Sequence, residues 1–291
     1  MANRSIVGVV PSTRTLEGGG FEVRRPFPTT RVDHVDPFLL LDEMGPQLHA
    51  PGAAKGAPDH PHRGIETVTS LLEGTFEHAD SMGSRGVLQP GDVQWMTAGS
   101  GVIHSEMPTK EFQASGGRLH GFQLWVNLPA RDKMMRPRYQ DVPSARIPVV
   151  EHDGVRVKVI AGEALGTKAV IDTRIPILYL HVTLQPGAVL ETAVPEDHNA
   201  FVYVFRGAAN AGPEERALVE GDMAVLARDG DSLILRNPGE APLDALVLGA
   251  VPLREPVARY GPFVMNTREE IVAAFDDYHA GRFGKIAAQV G

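Results

Sequence analysis

The chain has 291 residues, 43% of them hydrophobic and 22% charged, with a formal charge of −8 and no cysteine. Its length allows two domains with separate cores, its acidity argues against a nucleic-acid surface working by counterion release, and no apolar run approaches the ~18 residues of a membrane span. Without thiolates there can be no disulfide, iron–sulfur cluster or Cys-type zinc site, so any metal must be held by imidazole and carboxylate.

The stretch from Met1 to Pro11 lacks the long apolar core of a signal peptide, and the expected location is cytoplasmic. From there the chain alternates on a period of two, broken by Gly and Pro, which predicts strands. The clearest are residues 66–72 (ETVTSLL), 122–128 (FQLWVNL), 155–160 (VRVKVI), 177–184 (ILYLHVTL) and 232–236 (SLILR). Residues 129–148 carry prolines and charges with little periodicity, so a boundary is expected there, dividing the chain into domains 1–140 and 141–291.

A short internal repeat supports two units in tandem. The first half reads TVTSLLEG and later VLQPGDVQWM; the second reads FVYVFRG and later ALVEGDMAVL. One helix closes the chain: Thr267 and Glu270 form a capping box, Ile271, Val272, Phe275 and Tyr278 follow on roughly one face, and Gly281 stands at the C-terminal end. It is expected to pack on a sheet.

Two pairs of residues carry chemistry: His60-Pro61-His62 and His104-Ser105-Glu106. In a strand, residues i and i+2 point to one face, so each pair delivers two ligands in one direction. Two such strands would place three imidazoles and a carboxylate around one point, leaving open positions on a metal that prefers five or six ligands. The residues alone also allow histidines that hydrogen-bond in a polar core. On one face of 122–128 lie Gln123, Trp125 and Asn127, and on the other Phe122, Leu124 and Val126; one set must line the interior. His78, beside Asp80 and Ser81, reads as turn chemistry, and Arg63 and His120 as structural.

The runs DHPHRGIETVT (59–69), GDVQWMTAG (91–99) and GVIHSE (101–106), with GFQLWVNLP (121–129) and GPFVMNT (261–267), make the chain resemble the pirin family. The resemblance spans nearly the whole chain and is most specific in the HPHRG and HSE motifs. It implies an all-β protein of two tandem cupin barrels (double-stranded β-helices) with a short C-terminal helix. It also implies one divalent transition metal per chain, Fe(2+), held by His60, His62, His104 and Glu106, and a metal-free second barrel. Sliding the repeat sets Ala193 and Pro195 against the first two ligands and Ile234 and Arg236 against the others, none able to bind a cation; His198 reads as a strand-end residue.

Glu66 is the rival carboxylate, because it stands four residues after His62, the spacing at which many cupins carry theirs. The resemblance assigns the ligand to Glu106 and leaves Glu66 to orient an imidazole. The activity it implies is flavonol 2,3-dioxygenation, with a small aromatic substrate such as quercetin and O2, Glu106 as base, ring opening and loss of carbon monoxide. A second implied role is a redox-responsive regulator that binds other proteins without turnover, rather than binding nucleic acid or a membrane.

Overall fold

A computed structural model describes residues 2–287. By contacts the chain divides into two compact units, one of Met1–Thr13, Pro26–Pro37 and Ala145–Pro252, the other of Arg14–Arg25, Phe38–Ser144 and Leu253–Gly291. Each contains one seven-stranded and one four-stranded antiparallel sheet.

In the second unit the large sheet runs Arg138–Val142, Val93–Thr97, Ile65–Glu73, Gly117–Asn127, Phe38–His49, Phe21–Phe27, Thr13–Glu17. Its small sheet runs Ala57–His62, Val102–Pro108, Phe76–Asp80, Arg85–Leu88. The first unit has the same order. Its large sheet runs Ile6–Pro11, Asp222–Leu226, Asn199–Arg206, Leu243–Ala250, Ile177–Leu184, Val155–Ala161, Val149–His152. Its small sheet runs Val189–Ala193, Ser232–Arg236, Ala208–Ala211, Arg216–Val219.

The repeated GD dipeptide marks the same turn in both. Gly91 donates to the Leu71 carbonyl at 2.7 Å and Gly221 to that of Val204 at 2.8 Å. Their φ angles are 90° and 93°, left-handed backbone that glycine adopts without steric penalty. The following carboxylates close the turns alike: Asp92 accepts from the Gln89 amide at 2.9 Å, Asp222 from the Val219 amide at 3.0 Å.

The domain limits differ from the expected 1–140 and 141–291 at both ends of the chain. Ile6–Pro11 pairs antiparallel with Asp222–Leu226, satisfying the edge of the later barrel's sheet, and Leu253–Gly291 belongs with the earlier barrel. The middle also departs from expectation. Within 129–148, Arg138–Val142 is a strand on the edge of Val93–Thr97. A six-residue helix, Lys110–Ser115, was not foreseen; Thr109 caps it by accepting from the Phe112 amide at 3.2 Å.

The two units fill their interiors differently. The later barrel packs an aliphatic cluster that draws Leu190, Leu233 and Leu235 from its small sheet and Val202, Val204 and Val247 from its large one, all fully buried. Each such side chain contributes roughly 1.5–3 kcal/mol of burial. These small-sheet strands hold the topological places of Ala57–His62 and Val102–Pro108. Pro195, set against His62 by the repeat, lies beyond the end of Val189–Ala193.

The closing helix is Arg268–His279, with both capping-box bonds present between Thr267 and Glu270. Ile271 and Ala274 are buried beside Phe263, Met265 and Phe283. Val272 is 55% exposed, because a step of one residue turns it off the packed face. Among the described residues no helix is long and apolar enough to cross a membrane. Thr267→Ala removes the cap and is expected to lower stability by about 1 kcal/mol, read by chemical denaturation.

Candidate metal centre

His60 and His62 stand on Ala57–His62, an edge strand of the small sheet, where Pro58 and Pro61 leave no central ladder bond unmade. Antiparallel pairing sets His104 directly opposite His60, and His62 opposite Val102. The three rings converge: centroids are 4.2 Å apart for His60 and His104, 4.9 Å for His60 and His62, and 5.1 Å for His62 and His104. One ring nitrogen from each falls within 4.8 Å of the others, a candidate metal site.

The corner after His62 fixes this geometry. Gly64 turns the chain from the small sheet to the large one with φ 79°, and a Cβ there would lie 2.0 Å from the Val264 carbonyl oxygen. Around it, Val264 N donates to the Arg63 carbonyl at 3.1 Å. Lys133 Nζ donates to the carbonyls of Gly64 (2.9 Å) and Val264 (3.0 Å) and to Asn127 Oδ1 (2.6 Å). Arg63 is structural as expected: its guanidinium donates to the Ser100 carbonyl at 2.7 Å and to Asp277 on the closing helix at 2.6 Å, and lies over the Phe283 ring.

The surroundings of His62 and His104 hold both rings neutral. Burial, helped by the neighbouring His60, pushes the His62 imidazole down to about 3, against a Pro262 carbonyl contact that favours the charged form. Burial and the His60, His62 and His78 rings push His104 well below the ordinary value. A neutral imidazole is what a metal requires. His60 Nδ1 lies 2.7 Å from the Pro58 carbonyl and His62 Nδ1 3.3 Å from that of Pro262, so each keeps Nε2 for a ligand. Both nitrogens of His104 are buried without a hydrogen bond. Three convergent rings, two of them held neutral and one wholly unsatisfied, fit a divalent transition metal.

Glu106 lies on the strand of His104 and lines the same cavity, although the three-histidine group does not include it. Thr69 Oγ1 is 2.6 Å from Glu106 Oε1 and 2.8 Å from the Gln123 side-chain amide. A hydroxyl donates only once, so with its proton on Glu106 the amide of Gln123 presents N–H to Thr69. Glu66 is elsewhere. It accepts from Thr97 Oγ1 at 2.6 Å, is 1% exposed and shares the face of Val68, opposite to that of Thr69. Strand alternation counted on from His62 would turn Glu66 to the face of the two histidines, but that alternation breaks at the Gly64 corner.

The cavity measures about 470 Å³ and is lined at its apolar parts by Phe21, Leu40, Met44, Phe76 and Trp125. Strand Gly117–Asn127 turns Gln123 and Trp125 to it, whereas Phe122, Leu124 and Val126 are fully buried on the other face. Trp125 meets His62 edge to face at 5.0 Å, and Arg259 lies over its ring. Polar lining residues that escaped the sequence reading include Thr69, Asp42 and Arg259. Thr69 alone left a signal, in the polar positions alternating with Val68. Burial pushes the Asp42 carboxyl up to about 6 against its two-point bond with Arg25. His120 bonds Glu43 at 2.9 Å, a structural contact.

Two outcomes follow from this geometry. In metal-free protein the unfolded chain protonates His62 near the usual ~6.5, while the folded chain keeps it neutral down to about 3. The unfolded state thus binds more protons, and stability falls as pH drops from about 6.5 toward 3, by up to about 1.4 kcal/mol per pH unit from this group. His62→Gln should flatten that slope in denaturation curves. Elemental analysis of fully loaded protein should give one metal per chain, since the later barrel fills the matching place with leucines; two specific sites would overturn this.

Comparison with known proteins agrees with this architecture. The family described as Pirin matches residues 20–126, and that described as Pirin C-terminal cupin domain matches residues 179–284. A pirin-like protein of Solanum lycopersicum is 43% identical, covering 97% of this chain and 93% of its own. Pirin of Homo sapiens is 42% identical, covering 97% and 95%. A crystal structure described as quercetin 2,3-dioxygenase from Acinetobacter baumannii superposes with a TM-score of 0.92 at 38% identity, over 98% of this chain and 100% of that one. With both of its cupin barrels accounted for and relatives matched over nearly its whole length, the chain belongs to the pirin family.

Proposed function

We propose that the chain is a metal-dependent dioxygenase acting on flavonols such as quercetin, with Fe(2+) as its metal. The observation that carries this is the convergence of three imidazoles, two of them buried and held neutral, beside an apolar cavity that a half-buried carboxylate lines. His60, His62 and His104 would hold the metal, with Glu106 as fourth ligand. When bound, the metal supplies a Lewis acid for the substrate's oxygen and an open position for O2.

The chain's own residues do the rest. Trp125, Leu40, Phe21 and Phe76 offer apolar and aromatic surface to a planar ring system. Glu106 takes the proton of the enolic hydroxyl. Thr69 holds Oε1, fixing the carboxylate's orientation and leaving Oε2 to receive that proton, while Gln123 backs Thr69. The buried walls restrict water around the deprotonated substrate. The Acinetobacter baumannii structure's description as quercetin 2,3-dioxygenase supports this substrate class.

The test is oxygen uptake with quercetin by iron-loaded protein, with carbon monoxide measured alongside. Glu106→Gln keeps a neutral oxygen donor of similar size and is expected to retain metal and lose ~10²–10⁴-fold in turnover. Glu66→Gln, which lies off the cavity, should do much less damage; equal or greater loss from it would move the base to Glu66. Absence of any oxygen uptake by protein with confirmed metal would overturn the enzymatic reading and favour the regulator that binds proteins without turnover.

A further inference from the structure

Five buried polar atoms beside the metal centre have no hydrogen bond: both nitrogens of His104, both nitrogens of His78, and Asp80 Oδ2. They form one group. The strand Val102–Pro108 is flanked by Ala57–His62 on one side and Phe76–Asp80 on the other. In the latter register His104 pairs with Asp80 and Glu106 with His78, so these four side chains share a face. The His78 ring centroid is 5.5 Å from that of His104, and His78 Nε2 is 3.9 Å from Asp80 Oδ2. Both residues are 2% exposed. The turn reading of the sequence holds for Asp80 and Ser81 but not for His78: Ser81 lies in the turn, and Asp80 Oδ1 accepts from the Met82 and Ser84 amides at 2.8 Å each.

Buried polar atoms in folded proteins are rarely left unmade, and a metal-ligating histidine nearly always donates its outer N–H to an acceptor. His60 and His62 have carbonyls for this purpose. His104 has none, and no backbone acceptor is bonded to it. We infer that His78 and Asp80 are positioning residues for His104, forming a chain in which the outer N–H of His104 donates to His78 Nδ1 and His78 Nε2–H donates to Asp80 Oδ2.

One arrangement then satisfies all five atoms, with the second His104 nitrogen left for the metal. It fixes His78 as the Nε2–H tautomer. It takes Asp80 as the terminal acceptor, whose Oδ1 is already held by the Met82 and Ser84 amides. The Tyr139 ring, 4.7 Å from His78, packs the imidazole from a further strand. Of the three ligands, His104 alone would be backed by an anion, which makes it the most basic of them.

The inference rests on the three histidines holding a metal, and Co(II) is the probe. Metal-free protein is titrated with Co(II) against a competing chelator, for the parent, Asp80→Asn, His78→Phe and the double variant. Asp80→Asn keeps Oδ1 for the two amides and replaces the Oδ2 acceptor with a donor; it carries the test if His78→Phe does not fold. Each single variant is expected to bind Co(II) ~10–100-fold more weakly, and the double variant no more weakly than the singles, because a chain fails as a unit. In proton spectra of the Co(II) protein, the shifted ring N–H of His104 should be slow to exchange in the parent and lost from both variants. Those of His60 and His62 should remain. Unchanged affinity with lowered thermal stability, or an unaltered His104 N–H, overturns the positioning role. Failure of the parent itself to bind Co(II) overturns the metal centre and this inference together.

Discussion

The cluster of contacts at the Arg63–Gly64 corner is the constraint on which the metal centre depends. Two of the converging rings precede that corner on one sheet, while Thr69, which holds Glu106, follows it on another. The corner must therefore be rigid to a fraction of an ångström, yet it exposes backbone carbonyls and carries a buried cation. The chain meets both demands with residues from far along the sequence. Lys133 and the Val264 amide satisfy the carbonyls, and Asp277 and Phe283 receive the Arg63 guanidinium. Breaking one partner of a buried charge typically costs several kcal/mol, because the other is left uncompensated. Residues 253–287 thus take part in holding the site alongside the barrel strands.

The two barrels show what such support is for. Both share sheet order, the glycine turn and the carboxylate that closes it, but one is filled and the other hollow. Leu190, Leu233 and Leu235 complete an apolar core without further help. The corresponding strands of the other small sheet carry three imidazoles beside a cavity of about 470 Å³, where burial gained from apolar packing is forgone and the rings of His62 and His104 are desolvated. The hollow barrel is the one that takes up the closing helix, the Lys133 contacts and the Arg63 ion pair. Function in one half is supported by structure recruited from outside the repeat.

How far the sequence showed this follows from the range of each interaction. The His60–His62 and His104–Glu106 pairs were legible because i and i+2 on a strand is a local rule. The closing helix was legible because its cap, face and terminal glycine all lie within fifteen residues. Glu66 was misplaced because parity was carried across Gly64, where the chain changes sheets. Arg138–Val142 was missed because its charges and the flanking Pro137 and Pro143 suit an edge strand and a loop equally well. The pairing of Ile6–Pro11 with Asp222–Leu226 left no local trace, since an edge strand is chosen by what needs covering. His78 looked like a turn residue until the register placed it beside His104. The resemblance to pirins supplied the ligand set, and local rules supplied most of the scaffold.

Glu106 shows why the carboxylate stands apart from the histidine group. Thr69 and Gln123 hold one oxygen in a fixed direction, and a carboxylate so anchored keeps its second oxygen for another purpose. An imidazole has no such division available, because one nitrogen serves the metal and the other must be satisfied by the protein. The histidines therefore need fixed acceptors behind them, and Pro58 and Pro262 provide two. The carboxylate needs a fixed donor instead, and Thr69 is that donor. On the proposed function, the centre would combine three histidines that bind metal as neutral rings with a carboxylate that gains and loses a proton. His62 and His104 are buried and held neutral, whereas Glu106 stands half-buried on the cavity wall, open to a bound molecule.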